Sequence, residues 1–221
     1  SMNIYPGERT GESIVVFDNA PSKRWNGYFS YDNKGQDSTG RNQAVLGVGI
    51  DNIFGLNDLL NLSYNRSLPL EANRQDSFSS SIFYAVPLGY HTLSLNASRS
   101  EYDSTLQTQF NQLHSSGETN TYTGRVDSLL YRGFNNQLRA NIGLTHKDTA
   151  AFLEDVKLDV SSRKLSVLDI GLSYSDMLLA GVVNANAGYS RGLKLFNALE
   201  DAENLSAEMP KAQLEKLTYG L

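Results

Sequence analysis

Apolar and polar residues alternate with a period of two over most of the chain. In residues 46–51 the apolar side chains stand at even positions, with glycine or aspartate between them. Residues 93–98, 138–145, 168–174 and 183–190 repeat this arrangement, with small, amide or charged residues in the alternate places. Because successive side chains of a β-strand point to opposite faces, the pattern predicts strands with one apolar and one hydrophilic face.

The alternation predicts ten strands and therefore an all-β chain. Several strands match the roughly 9–11 residues that a tilted strand needs to cross a bilayer. The predicted ranges are 25–32, 43–52, 59–67, 77–87, 90–101, 121–132, 136–148, 164–175, 180–190 and 211–220. One stretch departs from the pattern: Asn197–Glu208 is rich in Ala, Leu and Glu, which predicts a short helix within a surface link.

The predicted links between strands alternate in length. The short links are 53–58, 88–89, 133–135 and 176–179. The longer, polar links are 33–42, 68–76, 102–120, 149–163 and 191–210. Successive links of an antiparallel meander lie at opposite ends of the sheet, so all the long links are expected at one end.

Two architectures fit this arrangement. Outer-membrane barrels have short periplasmic turns and long extracellular loops. A soluble β-sandwich also alternates, although its outer faces usually carry more charge and its links need not sort by length. The chain contains 12 tyrosines, several near predicted strand ends. These fit either a membrane interface or the high strand propensity of tyrosine.

Composition removes several other classes of protein. The 221 residues include no cysteine, which excludes a disulfide scaffold, thiol catalysis and a cysteine-based zinc site. The net charge of −5 lacks the basic excess of a nucleic-acid-binding protein, so no nucleic-acid partner is expected. The longest apolar stretch, Met177–Val183, is too short for a transmembrane helix. Alternating barrel strands, however, are compatible with the mean hydropathy of −0.37.

The sequence contains no pattern typical of an enzyme. His91, His114 and His146 lie on different predicted elements without an acidic or histidine partner at metal-ligand spacing. The sequence has neither a Gly-x-Ser-x-Gly elbow nor a glycine loop that follows a strand and opens a helix. We therefore expect no catalytic activity, no metal and no cofactor.

Five short motifs contain residues suited to tight turns, because Asp and Asn side chains bond nearby amides and Gly permits positive φ. They lie in residues 6–16, 30–35, 38–41, 50–58 and 84–90. Their turn-forming members are Pro6, Gly7, Gly11, Asp32, Asn33, Gly35, Gly40, Arg41, Asp51, Asn52, Gly55, Asp58, Pro87 and Gly89. In order and spacing, from about Gly7 to Leu221, the motifs resemble the outer-membrane transporters of two-partner secretion. That family exports haemolysins, filamentous haemagglutinins and contact-dependent inhibition toxins.

The resemblance implies an architecture that is only partly contained in these residues. Members of the family have a plug helix, two periplasmic POTRA domains and a barrel of about sixteen strands. Residues 1–20 then correspond to the end of the second POTRA domain and its linker. Residues 21–221 correspond to the first nine to ten strands of the barrel, so we expect a partial chain.

The resemblance also implies a function and a location. The complete protein would sit in the outer membrane of a Gram-negative bacterium and translocate a large exoprotein, recognised through its POTRA domains. Its partners would be that exoprotein and the lipid bilayer. Half of a barrel leaves two open edges, which are expected to pair with another copy or to close on themselves, unless these residues are a portion of a longer molecule.

The family carries an Arg-Gly-aromatic motif on a long loop that folds into the pore. Arg132-Gly133-Phe134 resembles it but lies in a short link. We interpret it instead as a hairpin turn in which Gly133 supplies an unusual backbone angle.

If the apolar residues face lipid, the alternate residues line a polar passage. The candidates for pore lining are Arg125, Asp127, Arg139, Asn141, Lys147, Asp169, Asn184 and Asn186. A wall of mixed charge without strong, specific sites would let an unfolded polypeptide slide. The alternatives at this point are a small passive porin or adhesion barrel, and a soluble carbohydrate-binding β-sandwich.

Overall fold

Nearly all of the regular structure consists of β-strands. The computed structural model describes residues 2–9, 11–17, 23–68, 76–107, 111–178, 181–202, 204 and 210–221. The strands are β1 (Met2–Pro6), β2 (Ser13–Phe17), β3 (Trp25–Asp32), β4 (Gln43–Asp51), β5 (Leu59–Ser67), β6 (Asp76–Leu88), β7 (His91–Gln107), β8 (Gln112–Arg132), β9 (Asn136–Leu153), β10 (Val156–Lys157), β11 (Arg163–Leu178), β12 (Gly181–Leu193) and β13 (Glu215–Gly220).

The strands form two antiparallel sheets. β1 and β2 make a separate hairpin, and the other strands form one sheet of eleven. Each strand from β3 to β9 pairs with its neighbour in sequence, β11 pairs with β9, and β12 and β13 complete the order. The short β10 pairs only with β9, beside this path. The all-β meander predicted from the sequence is confirmed.

The sheet does not close on itself. Among the described residues, β3 and β13 each pair on one side only, so both ends of the sheet present an open edge. In the part of the chain that the structure describes, no second sheet covers it, and the β-sandwich alternative is therefore wrong. The alternating pattern fitted both the barrel and the sandwich, because it shows that the two faces of the sheet differ but does not show what covers each face.

The predicted strand cores are accurate, whereas six strands are longer than predicted. β3 and β5 have the predicted bounds, but β7, β8 and β9, which exceed the prediction most, have 17, 21 and 18 residues. The predicted long link 102–120 is wrong, because most of it belongs to β7 and β8. The extensions of β7 and β8 carry polar residues on both faces, so no hydrophobic period marked them. Direct pairing from Tyr102–Gly117 to Gln107–Gln112 continues the ladder.

The predicted helix Asn197–Glu208 is also wrong in the part that the structure describes. Residues 197–202 form turns and irregular backbone held by tertiary hydrogen bonds, and residues 203 and 205–208 lie outside the described residues. Local helix propensity is weak compared with such contacts. Across the ranges described above, no helix is long and apolar enough to cross a membrane.

The short link between β4 and β5 is closed by its polar side chains. Asp58 is 2% exposed and accepts hydrogen bonds from the amides of Phe54 (3.2 Å) and Leu56 (3.4 Å). The amide of Asn57 donates to Oδ1 of Asn52 at 2.8 Å. Asn52, Asn57 and Gly55 have φ of 57°, 59° and 76°, the left-handed region that Asn and Gly tolerate best.

The link after β8 corrects the interpretation of Gly133. The amide of Gly133 donates to the carbonyl of Asn136 at 2.8 Å, which closes a tight turn. Gly133 is absent from the described residues with positive φ, so an unusual angle is not the reason for glycine. Instead, a β-carbon at this position would crowd the hydroxyl of Tyr131 and the amide of Asn136.

Candidate functional site

All eight predicted pore-lining residues lie on one face of the sheet. Directly paired residues in antiparallel strands point to the same side. Arg125 pairs with Gly143, Gly143 with Asp169, and Asp169 with Ser190. The same register puts Asp127 beside Asn141, Arg139 beside Ser173, and Ser173 and Ser175 beside Asn186 and Asn184. Lys147 is paired with Thr121 in the same set. We call this side the polar face.

The charges of the polar face are largely balanced by near neighbours. The guanidinium of Arg125 donates to both carboxylate oxygens of Asp127 at 2.7–3.0 Å. Asp169 accepts a hydrogen bond from the hydroxyl of Ser190 at 2.5 Å. The guanidinium of Arg139 donates to Gln137 at 3.4 Å. Arg125 and Asp127 remain nearly half exposed, so they present a mixed, hydrated surface and not a single strong anion or cation site.

Glycines make room for larger side chains on the polar face. A β-carbon on Gly171 would lie 2.6 Å from the amide nitrogen of Asn141, and one on Gly117 would lie 2.5 Å from the ring of Tyr102. Tyr28 covers Gly47 in the same way. Tyr28 and Tyr102 therefore lie on the polar face, so of the two explanations for the tyrosines near strand ends, high strand propensity is the one that fits them. A period of two does not reveal a ring lying across a neighbouring glycine.

The opposite side, the apolar face, carries a continuous stripe of apolar side chains. The stripe includes Phe29, Leu46, Val48, Leu62, Ile82, Leu93, Leu95, Val126, Ile142, Leu144, Ile170, Leu172, Ala187 and Leu217. Leu46, Leu95, Ile142 and Leu172 are 47–51% exposed. Among the described residues, only Val86, Ala198 and Ala212 are buried apolar residues. The stripe is therefore not the core of a two-layer domain.

The stripe crosses the strands diagonally. Val48 lies near the middle of the stripe on β4. Directly paired residues can be followed from Val48 across seven successive strand pairs, and they lead to Leu193 on β12. The middle of the stripe on β12 is Ala185 to Ala187, so it is displaced by six to eight residues. With a rise of about 3.3 Å per residue and about 4.8 Å between strands, a level band requires strands tilted by roughly 30–38°. This range overlaps the tilt of about 35–45° found in transmembrane barrels.

Charged residues limit the apolar stripe at the end of the strands that carries the long links. We call this group the charged margin: Arg66, Asp76, Arg99, Glu101, Asp103, His114, Glu118, Asp148 and Lys164. Its ion pairs include Arg99 with Glu118 (3.2 Å), Lys164 with Asp148 (2.7 Å) and Arg66 with Asp76 (2.9 Å). The apolar face therefore changes from hydrocarbon to ionic character within two residues along a strand.

The histidines lie in three separate places. His91 contacts Ser128 at 2.8 Å, His114 contacts Asp103 at 2.6 Å, and His146 contacts Ser166 at 2.9 Å. Within the described ranges, no group of three or more His, Asp or Glu side chains is arranged to hold a metal ion.

The turn-forming residues close links at both ends of the strands. Pro6 ends β1, and the amide of Gly7 donates to the carbonyl of Glu12 across Gly11, whose φ is 93°. In the link 33–42, Asp32 accepts from the amide of Lys34 at 3.0 Å, and the amide of Gly35 donates to the carbonyl of Arg41 at 2.9 Å.

Other members of this set occupy strand ends and hairpins. Gly40 has a φ of 102°, and the guanidinium of Arg41 bonds Asp37, which lowers the pKa of that carboxyl. Asn33 follows Asp32 directly, and Asp51 ends β4. Pro87 lies one residue before the end of β6, and Gly89, with φ of 63°, opens the two-residue hairpin to β7.

One feature of the apolar face has no signal in the sequence. The segment that follows β12 turns back over the sheet, where the hydroxyl of Ser166 donates to the carbonyl of Leu195 at 2.7 Å. The ring of Phe196 meets that of His146 edge-on, with centroids 5.6 Å apart. Such contacts between distant segments have no period or motif that could have predicted them.

Known proteins resemble this chain over most of its length. The model of the family described as haemolysin secretion/activation protein ShlB/FhaC/HecB matches residues 11–221. The outer membrane transporter CdiB-2 of Burkholderia pseudomallei is 33% identical over 87% of this chain and 33% of its own length. The hemolysin transporter protein ShlB of Serratia marcescens is 32% identical over 89% of this chain and 35% of its own length.

A solved structure shares the fold. CdiB from Escherichia coli superimposes with a TM-score of 0.89 and 29% sequence identity, covering 99% of this chain and 40% of that one. The chain thus spans about a third to two fifths of the length of the proteins that it resembles.

Proposed function

The chain belongs to the haemolysin secretion/activation family, and we propose that it forms part of an outer-membrane transporter that carries a large secreted protein to the cell surface. The relatives are named as outer membrane and hemolysin transporters, which supports a location in the outer membrane of a Gram-negative bacterium. Transport, and not catalysis, is the role proposed for this chain.

The proposal depends most on the diagonal apolar stripe. A tilt of roughly 30–38° makes the stripe level, so that one face of the sheet meets hydrocarbon around its whole arc while the other meets water. Half-exposed side chains such as Ile142 and Leu172 are then covered by lipid instead of protein. The charged margin would lie at the outer surface, beside the long links, and the short links would face the periplasm.

The polar face is proposed as the wall of the translocation passage. Arg125, Asp127, Arg139, Asn141, Lys147, Asp169, Asn184 and Asn186 share this face and present both signs of charge with amides between them. Local pairing, as between Arg125 and Asp127, keeps any single site from holding a passing chain strongly. Weak contact at many sites allows passage, as it does for ions in channels.

The domain division is proposed as predicted. Residues 1–20 would end the second POTRA domain and its linker, and residues 21–221 would begin the barrel. The separate hairpin of β1 and β2 supports a boundary before β3, since it pairs with no strand of the large sheet. The turn-forming residues would hold the links of both parts in shape.

The partners proposed are a secreted exoprotein, the lipid bilayer and further β-strands. The exoprotein would be recognised through POTRA domains that lie largely outside this sequence. The open edges of β3 and β13 would pair with the remaining strands of a longer protein, or with another copy when the chain is alone, because unpaired edges attract other strands.

Adjacent residues on opposite faces provide a direct test. In the complete transporter, p-benzoylphenylalanine would replace either Asn141 or Ile142, and light would be applied while the exoprotein is in transit. We expect the exoprotein to be captured at position 141 and lipid at position 142, since the two side chains point to opposite sides of β9.

The outcomes separate the proposal from its rivals. A passive porin would give no exoprotein adduct at either position although secretion continues through another route. Capture of the exoprotein at position 142 alone would show that the apolar face, and not the polar face, lines the passage. Equal capture at both positions would contradict the division of the sheet into a lipid face and a passage face.

A further inference from the structure

A cleft opens on the apolar face between β6, β7, β8 and β9. Its volume is about 600 Å³, within the range of ligand-binding pockets. The side chains that shape it are Ile82, Tyr84, Leu95, Tyr122, Leu144 and Phe196. Almost all of the surface that they present to the cleft is hydrocarbon.

The cleft exists because its floor is built from small residues. Ala97 and Gly124 lie between the larger Tyr84, Tyr122 and Leu144. A β-carbon on Gly124 would stand at an ordinary contact distance of 3.6 Å from Leu95, so a larger residue fits there. The backbone at position 124 would therefore accept a larger side chain, and the space in the cleft results from the glycine.

The roof of the cleft is held in place by a strained turn. Phe196 and Asn197 have φ of 57° and 58°, the left-handed region that a bulky side chain such as that of Phe196 rarely adopts. The hydroxyl of Ser166 and the carbonyl of Leu195 hold one side of the turn, and the amide of Leu199 donates to the carbonyl of Lys164 at 2.8 Å on the other. Ser166 is 1% exposed, so the anchor is fully built into the sheet.

The anchor also orients His146. Since the single proton of the Ser166 hydroxyl goes to Leu195, Nδ1 of His146 must donate to Ser166. This hydrogen bond fixes the imidazole ring against which Phe196 packs. The turn nevertheless leaves Phe196 64% exposed, with its ring extended along the cleft and not buried.

We propose that this cleft holds an acyl chain of an outer-leaflet lipid. The inference rests on the proposed function, in which the apolar face meets the bilayer. The cleft is continuous with the apolar stripe through Leu95 and Leu144, so a chain enters it from the hydrocarbon without crossing water. Its lining offers no charged partner for a polar ligand, which favours a purely apolar occupant.

The charged margin lies at the height where a lipid headgroup would sit. Arg99 is the next residue on the same face of β7 after Ala97, and Lys164 has the same relation to Ser166 on β11. Both cations are about half exposed. An acyl chain in the cleft would therefore place its polar headgroup beside the ion pairs of Arg99 with Glu118 and of Lys164 with Asp148, while Phe196 covers the chain.

Retention of lipid after extraction distinguishes the cleft from the rest of the stripe. In the complete transporter, p-benzoylphenylalanine would replace either Tyr122, in the cleft, or Leu172, on the stripe outside it. Each protein would be irradiated in membranes and again after detergent extraction, and lipid adducts would be measured by mass spectrometry. We expect position 122 to keep its lipid adduct in detergent, whereas position 172 loses it.

Filling the cleft provides a matched control. Gly124→Leu places a leucine side chain in the cleft, and Ala187→Leu places the same side chain on the apolar face of β12, outside the cleft. We expect Gly124→Leu to reduce the retained adduct about tenfold, the effect of losing roughly two methylene contacts, and Ala187→Leu to leave it unchanged. Phe196→Ala should act like Gly124→Leu because it removes the roof.

Two failures have different meanings. If neither position captures lipid in membranes, the apolar face does not meet the bilayer and the proposed function itself fails. If both capture lipid in membranes and lose it together in detergent, the proposed function stands in its assignment of faces and the acyl-chain site is wrong.

Discussion

At the scale of single residues, short carboxylates hold the links between strands. Asp58 accepts the amides of Phe54 and Leu56 below the sheet. At the opposite end, Asp201 accepts the amides of Ala212 and Gln213, both at 2.8 Å, and so ties the segment after β12 to the start of β13. A carboxylate binds backbone amides more strongly when it is charged, so these links depend on its ionisation.

Asp201 should make the segment after β12 sensitive to acid. The hydrogen bonds from Ala212 and Gln213 lower the pKa of Asp201, with smaller contributions from Lys211 and Lys194. A lowered folded pKa contributes stability above the ordinary carboxyl range, near pH 4, and this contribution is lost as the pH falls through the folded pKa. We expect the amide resonances of Ala212 and Gln213 to titrate below pH 4.

Asp201→Asn serves as the control for this titration. It should shift both amide resonances at neutral pH and abolish their dependence on acid. Titration of the wild-type resonances at or above the ordinary carboxyl pKa would show that the two hydrogen bonds do not hold the charged form.

Which of these residues could be predicted depends on sequence distance. Asp58 was predictable, because an Asn and Gly-rich turn of seven residues contains both the carboxylate and the amides that it binds. Asp201 and Ser166 were not, because their partners lie 11 to 29 residues away. Nothing in the sequence indicates why position 133 is a glycine, because crowding by the neighbouring side chains is visible only in the structure.

At the scale of elements, each strand separates two environments with a period of two. The alternation was sufficient to predict β3 and β5 to the residue and to place all eight candidate lining residues on one face. It failed in the outer halves of β7 and β8, where serine, threonine and glutamate stand on both faces. There the backbone hydrogen bonds between strands, and side-chain pairs such as Arg99 with Glu118, extend the strands although the sequence has no alternating apolar residues.

An arginine substitution should be costly on one face only. Ile142 lies near the middle of the stripe on β9, so Ile142→Arg in the complete transporter should lower the free energy of unfolding by about 2–4 kcal/mol in a bilayer. Asn141→Arg, one residue away on the polar face, should change it by less than about 1 kcal/mol. Equilibrium unfolding by urea in lipid vesicles would measure both.

The comparison is internally controlled, because the two variants add the same side chain to neighbouring positions of one strand. Equal losses at positions 141 and 142 would show that both faces are similarly buried. A larger loss at position 141 would reverse the assignment of the faces.

At the scale of the whole molecule, the open edges of the sheet are explained if the sheet is part of a larger, closed barrel. Within the described residues, β3 and β13 have free edges, and an apolar stripe inclined by roughly 30–38° runs across one face of the sheet. Both features fit the similarity to about two fifths of a longer transporter. The sequence predicted the meander and the family, whereas the tilt became measurable only when the register of every pair was known.

The central claim is that the apolar face meets hydrocarbon while the polar face meets water. The chain contains no cysteine, so single cysteines at each position from 138 to 146 could carry a spin label in the complete transporter, reconstituted in vesicles. Accessibility to oxygen and to a polar nickel chelate would be measured at each position. The account predicts oxygen maxima at the even positions and chelate maxima at the odd ones. Even positions shielded from both reagents, or no alternation at all, would contradict it.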